Sequence, residues 1–481
     1  MSNKFKDLVE KLLSIESEHP EIWEIRDSES GLHIWPFIRY SIFDFILNNI
    51  PDVARKNNDP SQINRYKLLG TLLQYYRSNY NIHYPSQEKI AFWGPTYLNV
   101  RKGNAFENRM FDYLIKYYPE ISASWEFIKE SGLTLPRTVS TIKIWDYILL
   151  KGYLFKKFYR IHPNTHNITH EISEILLSHT KRINLNIPSA HIIRYINKQI
   201  NNTLLAFRYT FPSIYSLLER KQLKHLFIHA ASYGNIAMLL TLAANVSNIN
   251  TYELQHGVIA DTHIAYNSTY IPQEILQTYY PSKLLLWGEF WKSRIYKKFN
   301  SYILGFPYLS EENINTTIPN EQSVHRKIFL IISQWTIREE LIEITRRIAE
   351  NLPNTIIWFK PHPREELFFQ QHPNIFSLSN VEIKTGSIYP LIKAANIIIG
   401  SYSTALIESA LMGKCVLAIK NDISEIYLKG IPNIILVSRN TLFNTLLDSL
   451  DFTCKNITSN DKFHQLLSHN WKQNYKNLIN T

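Results

Sequence analysis

Two short segments of this 481-residue chain carry residue types suited to holding an anion. One is Lys360-Pro361-His362-Pro363-Arg364; the other begins 36 residues after Arg364, as Gly400-Ser401-Tyr402-Ser403-Thr404, and runs on to Glu408. Ahead of the first, Thr355-Ile356-Ile357-Trp358-Phe359 is apolar, β-branched and aromatic, the pattern of a buried parallel strand that the two prolines then end. Lys360, His362 and Arg364 are thereby expected at a carboxyl strand edge, where open α/β sheets bind ligands. The second segment repeats the logic. Asn396 to Gly400 reads as a strand, and Ser401 to Thr404 opens a helix whose free N–H groups and hydroxyls attract phosphate. Glu408 falls one turn into that helix, on the face of Thr404, and Gly413 ends it. Plain solvated charges at Lys360 and Arg364, and plain helix caps at Ser401 and Ser403, fit the same residues.

A third constellation lies earlier, in Tyr252-Glu253-Leu254-Gln255-His256-Gly257, followed by Asp261, His263 and Tyr266. After a strand, Gly257 permits a tight turn that leaves His256 at the carboxyl edge. An imidazole titrates near neutrality and can take a proton from an attacking hydroxyl. Glu253 could serve the same purpose if desolvated. A histidine that only caps the turn fits the spacing equally well. Asp261, His263 and His229, the last just before Ala230-Ala231-Ser232-Tyr233-Gly234, are second-choice candidates for contact with an acceptor.

The elements that would position these groups divide the chain into four zones. Residues 1–85 read as a helical extension with an aromatic patch at Ile34 to Ile38. Residues 86–305 open with a strand at Ile90 to Gly94 and a helix at Phe106 to Tyr117. Further strands are expected at Leu223 to Ala231, Asn250 to Leu254, Lys283 to Gly288 and Tyr302 to Pro307. Residues 306–440 alternate strand and helix, which means a doubly wound parallel sheet. Within them Thr336 and Glu339 have capping-box spacing, and Ile337, Leu341, Ile344, Ile348 and Leu352 recur at helical intervals. Residues 441–481 are polar and helical, with a Trp- and Tyr-containing tail able to fold back on the first domain.

Composition narrows the chemistry. The length calls for more than one core, and 45% hydrophobic residues can fill them. A net charge of +11 favours an acidic partner such as a nucleotide, an anionic membrane or nucleic acid. Two cysteines, Cys415 and Cys454, argue for a reducing compartment, and neither a signal core nor a membrane span is legible, so a cytoplasmic location is expected. The chain has no GxxxxGK[ST], GxGxxG, GxSxG, HExxH or Asp-x-Asp, which weighs against P-loop, dinucleotide, serine-hydrolase, zinc-protease and metal-bridged sugar-transfer chemistry. Neither metal nor cofactor is expected. The stretch Ile144 to Arg160 mixes aromatic and basic residues, as an ordinary core helix with a basic flank or as a helix lying in a membrane interface.

In order, Gln255-His256-Gly257, Leu285-Leu286-Trp287-Gly288-Glu289-Phe290-Trp291, Gly305-Phe306-Pro307, Ser333-Gln334, Lys360 to Pro363 and Ser401 to Ser409 resemble bacterial glycosyltransferases of the GT-B fold. The likeness is to capsule and lipopolysaccharide enzymes with an HP motif, including sialyl- and Kdo-transferases, and more distantly to CDP-glycerol glycerophosphotransferases. It covers about residues 223 to 420. The resemblance implies two Rossmann-like domains facing a cleft and a nucleotide-sugar donor. Lys360, His362, Arg364, Ser401, Ser403 and Thr404 would stand at its phosphates, Ser333 and Gln334 beside the nucleotide, and Glu408 on the ribose. It implies a functional role for His256, although those relatives usually carry Trp where Gln255 stands. The acceptor would be a glycan or lipid-linked glycan, with peripheral contact at the inner membrane and no nucleic acid. Two other classes stay open: a CDP-alditol phosphotransferase, and a non-catalytic basic protein that binds nucleic acid, expected to show steep salt dependence.

Overall fold

The computed structural model describes residues 4–50, 73, 80–83, 87–128, 134–149, 161–185, 187–314, 326–362, 365–451 and 465–480. Its first sheet has seven strands: β1 (Ile90–Pro95), β4 (Ser122–Phe127), β5 (Ile142–Ile144), β6 (His225–Ile228), β7 (Asn250–Leu254), β8 (Lys283–Leu286) and β9 (Ser301–Ile303). They lie in the order β5-β4-β1-β6-β7-β8-β9, and every pairing is parallel. The second sheet has six: β10 (Ile328–Ile332), β11 (Ile356–Lys360), β12 (Val381–Ile383), β13 (Ile397–Gly400), β14 (Cys415–Ile419) and β15 (Ile434–Val437). These run β12-β11-β10-β13-β14-β15, again all parallel. In both sheets the chain winds outward from one central strand, returns and winds the other way. Each sheet therefore has a switch point, between β1 and β6 in the first and between β10 and β13 in the second, where adjoining loops part and leave a crevice.

Helices cover both faces of each sheet, so central strands are apolar throughout. β1, β6, β10, β13 and β14 are buried at every position. The helices before residue 50 do not stand apart from the first domain. Trp23, Trp35 and Phe43 share one core with Trp93, Trp125 and Trp145 of the sheet layer. Arg39, on the helix Trp35–Asn48, is buried against Glu16, with 2.5 Å between its Nε and the carboxylate, and also donates to the carbonyls of Ile264 and Asn267.

Of the tail, the helix Leu442–Asp451 packs in the second domain's core, and residues 465–480 lie on the first domain. In the helix Trp471–Asn480, Tyr475 packs on Tyr117, Tyr118 and Phe227, and the Leu466 carbonyl accepts from Trp291 Nε1 at 2.9 Å. A Cβ at Gly288 would stand 2.2 Å from the Gln465 carbonyl oxygen, and one at Gly305 2.4 Å from that of Ser468. The glycines of two sequence motifs are thus explained by a strap of backbone lying on them.

Three local expectations are corrected. Phe106 to Tyr117 is not one helix: β2 (Asn99–Lys102) and β3 (Ala105–Asn108) form a hairpin turning at Gly103, and helix begins only at Asp112. Asn108 Oδ1 accepts from the amides of Met110 and Phe111, a side-chain turn that separates strand from helix. The capping box at Thr336 and Glu339 is absent, because the Thr336 hydroxyl bonds Tyr402 in the neighbouring loop while Glu339 pairs with Arg338. The strand expected over Leu223 to Ala231 is shortened to β6, since the chain turns at Ala230 with φ of 54°. Residues 150–160 of the basic aromatic stretch, Cys454 and Arg364 lie outside the described residues; Cys415 is buried in β14. Among the described residues no helix is long and apolar enough to cross a membrane.

Candidate active site

The second sheet brings its candidate residues to one carboxyl edge. Ser333 and Gln334 follow β10, Lys360 ends β11, and Ser401 follows β13, so all four flank the switch point. Lys360 is buried, with its ammonium donating to the Pro361 carbonyl at 3.2 Å. The His362 amide donates to Glu365 Oε2 at 2.8 Å. Gln334 Oε1 is buried with no hydrogen-bond partner among the described residues, while the Ser333 hydroxyl stands against the Glu365 carboxylate. An unpaired polar atom of this kind costs about 1–3 kcal/mol and is satisfied when a polar ligand arrives.

Ser401 and Ser403 have local duties. Ser401 Oγ donates to the Ile419 carbonyl at 3.3 Å and accepts from Asn421 Nδ2 at 2.7 Å, tying the ends of β13 and β14. Ser403 Oγ caps the helix Thr404–Leu411 by accepting from the Ala405 amide. With the Leu406 amide also bonded to the Ser403 carbonyl at 3.0 Å, what the helix start offers a ligand is its dipole.

Glu408 meets a partner that sequence reasoning missed. Its Oε2 accepts from Tyr389 Oη at 2.8 Å, and Tyr389 Oη lies 3.3 Å from Arg109 Nη1 of the first domain. Burial lifts the Glu408 carboxyl above the usual range, and Arg109 opposes the shift. Arg109 sits between β3 and the helix Asp112–Tyr117, in Glu107-Asn108-Arg109-Met110-Phe111. Nothing in that string separates an arginine that reaches the other domain from one left in solvent. A ribose role for Glu408 therefore requires Tyr389 to share or release the carboxylate.

The first sheet supplies aromatic and imidazole groups at its own carboxyl edge. His229 follows β6, and its Nε2 lies 3.1 Å from Tyr97 Oη, beyond the end of β1, so this pair marks the switch point. The rings of His229 and His256 are 4.6 Å apart. Tyr233 Oη lies 3.3 Å from His256 Nε2 and 3.0 Å from His263 Nε2, joining the two imidazoles through one hydroxyl. Burial pushes the His256 imidazole down to about 4, so it is neutral at physiological pH and has a lone pair to accept a proton.

Gln255 explains how the turn holds its shape. Its side chain accepts from the Trp287 amide at 3.0 Å and donates to the Gly257 carbonyl at 3.0 Å, while Trp287 Nε1 donates to the Gln255 carbonyl at 2.7 Å. Asp261 stays on the surface, 4.0 Å from Lys6.

Glu253, a candidate base from sequence, is enclosed. It is fully buried and accepts from the Ser232 amide at 2.9 Å, Ser232 Oγ at 2.6 Å and Tyr266 Oη at 2.7 Å. It reaches the histidines only through the tyrosines it orients. Burial pushes its carboxyl up to about 7, against these hydrogen bonds. The folded protein thus binds a proton that the unfolded chain releases near 4.5, and the stabilising contribution of that proton is lost as pH rises from about 4.5 through 7. Glu253→Gln is expected to gain stability relative to the parent as pH goes from 5 to 8, read as the difference in melting temperature. A difference that is flat or falls with pH would place an ionised carboxylate there throughout.

The two halves meet. A Cβ placed on Gly257 would stand 3.6 Å from Thr404 Oγ1, so the histidine turn abuts the start of the second domain's helix. Arg294 closes the rim, donating to the carbonyls of Tyr427 at 3.3 Å and Lys429 at 3.0 Å. Two Rossmann-like domains set edge to edge in this way have the GT-B architecture.

No family model matches the chain, and no curated protein matches it in sequence. Among solved structures the chain is similar to S. aureus MnaA solved with UDP, at 10% identity over 82% of this chain and 95% of that one, with a TM-score of 0.47. It is also similar to MurG of Acinetobacter baumannii (9% identity, 82% and 99% covered, TM-score 0.42) and to the wall teichoic acid polymerase TagF (11%, 86% and 96%, 0.43). At these identities and scores the likenesses add nothing to the topology read directly from the two sheets.

Proposed function

We propose that the protein is a metal-independent glycosyltransferase that moves a sugar from a nucleotide-activated donor to a hydroxyl of a growing surface glycan of the capsule or lipopolysaccharide kind. The observation that carries this reading is the apposition of the His256 turn and the Thr404 helix start. A neutral imidazole at one strand edge and an anion-attracting helix end at the other flank the junction of the two domains.

In this mechanism the donor's phosphates lie against the start of the helix Thr404–Leu411, with Lys360 and His362 as counter-charges and Ser333 and Gln334 beside the nucleotide. The acceptor oxygen attacks the anomeric carbon as the bond from that carbon to the phosphate oxygen breaks. The electron pair goes to the departing nucleotide, where the cations and helix dipole stabilise it. His256 takes the hydroxyl proton. Contact between the domains excludes water that would hydrolyse the donor. A lipid-linked acceptor would bring the enzyme to the cytoplasmic face of the inner membrane.

Calorimetry with UDP, CDP, CMP and GDP tests the donor half. One nucleotide is expected to bind, and Lys360→Ala or His362→Ala to weaken it by roughly 10- to 100-fold, as for loss of a charge-assisted hydrogen bond of about 1.5–3 kcal/mol. Undiminished affinity in both variants would sink the assignment. Chromatography of products made from the matching nucleotide sugar and from CDP-glycerol separates transfer at an anomeric carbon from transfer at phosphorus.

A further inference from the structure

We infer that Glu18, His19 and His179 form a binding site for a divalent transition metal of the zinc class, joining the N-terminal helical segment to the helix Thr165–Arg182. Each of the three offers one ligand atom, and these atoms all lie within 4.8 Å of one another, the one such grouping among the described residues. The site is independent of the transferase reading, since none of the three residues follows a strand or stands at either carboxyl edge. No spacing motif announces it, because His179 lies far along the chain from the other two.

A break in the backbone brings the adjacent pair together. Consecutive residues of a continuous helix point about 100° apart. Here the helix Ile15–Glu18 ends at His19, whose φ of -128° and ψ of 63° are not helical, and Pro20 starts a separate short helix, Pro20–Trp23. Glu18 and His19 are thereby free of helical spacing and converge on His179. His179 is buried and tied to the same segment: its Nε2 lies 2.8 Å from the Lys11 carbonyl, so that nitrogen carries the proton and donates. Arg182 Nη2 lies 2.8 Å from His179 Nδ1 and can only donate, which requires a lone pair on Nδ1 and a neutral ring.

That lone pair stands 3.5 Å from Glu18 Oε2. Both atoms are acceptors, so they sit this close only with a cation beside them. Two ligands held at ~2.1 Å by a tetrahedral zinc lie about 3.4 Å apart, so the separation already suits the metal. The cation in this structure is the Arg182 guanidinium, which touches Glu18 Oε2 as well as His179 Nδ1. Its side chain is 55% exposed at the end of its helix, so it can swing into solvent when a metal takes its place. Two imidazoles with one carboxylate select zinc over magnesium or calcium, which prefer oxygen ligands. Both rings also have the outer partners that orient metal-bound histidines: His179 donates to the Lys11 carbonyl, and His19 Nδ1 lies 3.0 Å from Glu21 Oε1. A metal here would cross-link two segments that are distant in sequence, leaving its fourth position to water.

Calorimetry and thermal melts of the full chain, first stripped with EDTA, test the site with zinc, magnesium and calcium chlorides. Zinc is expected to bind the wild type and to raise its melting temperature as its concentration grows, and the other two ions to do neither. Glu18→Gln, His19→Gln and His179→Gln should each weaken zinc by about 100-fold, and Glu21→Gln by about tenfold. Arg182→Gln should instead tighten zinc by up to about fivefold, because a competing cation is gone. If His179→Gln misfolds, the variants of the two partly exposed ligands decide. The inference is overturned if the stripped wild type binds no zinc, if zinc binds the ligand variants as it binds the wild type, or if Arg182→Gln fails to bind it more tightly. Neither nucleotide nor sugar enters these assays, so failure of this site and failure of the transferase reading are separate results.

Discussion

His256→Ala is expected to lower the rate of sugar transfer by about 10²- to 10⁴-fold, the range contributed by a positioned general base, while nucleotide affinity stays unchanged. The imidazole lies at the carboxyl edge of β7, its ring 4.6 Å from His229 and its Nε2 3.3 Å from Tyr233 Oη. Burial keeps it neutral down to about 4, so protonation does not disable it anywhere near neutrality. Transfer should therefore hold its rate as pH falls from 7 to 5, where an exposed histidine would already be almost fully protonated. Single-turnover rates at saturating donor, measured across that range, decide the matter. A variant that transfers at more than a tenth of the parent rate would show that His256 only shapes the turn, and Tyr233→Phe would then be the next suspect.

The second large effect concerns stability. Arg109→Ala removes the first domain's cation from Tyr389 and leaves Glu408 buried with only a tyrosine as partner. The Arg109 bond to the Tyr389 hydroxyl is charge-assisted, and its loss costs roughly 1.5–3 kcal/mol while Glu408 is left buried without a nearby cation. The loss should appear as a marked drop in the denaturant midpoint. Glu408→Gln in the same chain should restore much of it, since the group left behind is then neutral. Strict additivity of the two changes would show that Arg109 and Glu408 do not sense each other. Because the contact spans the two domains, its loss is also expected to slow transfer by loosening closure, with nucleotide affinity changing less than rate.

Much of the architecture was legible because parallel strands buried on both faces write themselves as apolar runs. β10, β11, β13 and β14 were each visible in that way, and the prolines and glycines marked where strands stop. Short turns were harder. The hairpin before Asp112 and the bond between Thr336 and Tyr402 depend on where a side-chain oxygen finds its partner, and spacing along the chain does not record that.

The candidate site divides along the same line. Lys360, His362, Ser403, Thr404 and His256 could be named from sequence because each follows a strand, and a strand's carboxyl end is a fixed place in an open sheet. That Glu253 is enclosed, that Tyr233 links two histidines 7 residues apart in the chain, and that Arg109 reaches Tyr389 and Glu408 in the other domain were not readable. Such facts join residues tens to hundreds of positions apart. The sequence by itself determined the local direction of the chain and the kinds of groups at strand ends; only the tertiary structure decided which of those groups are buried, paired or facing one another. Burial and pairing set protonation and reach, and both are properties of neighbours in space rather than neighbours in the chain.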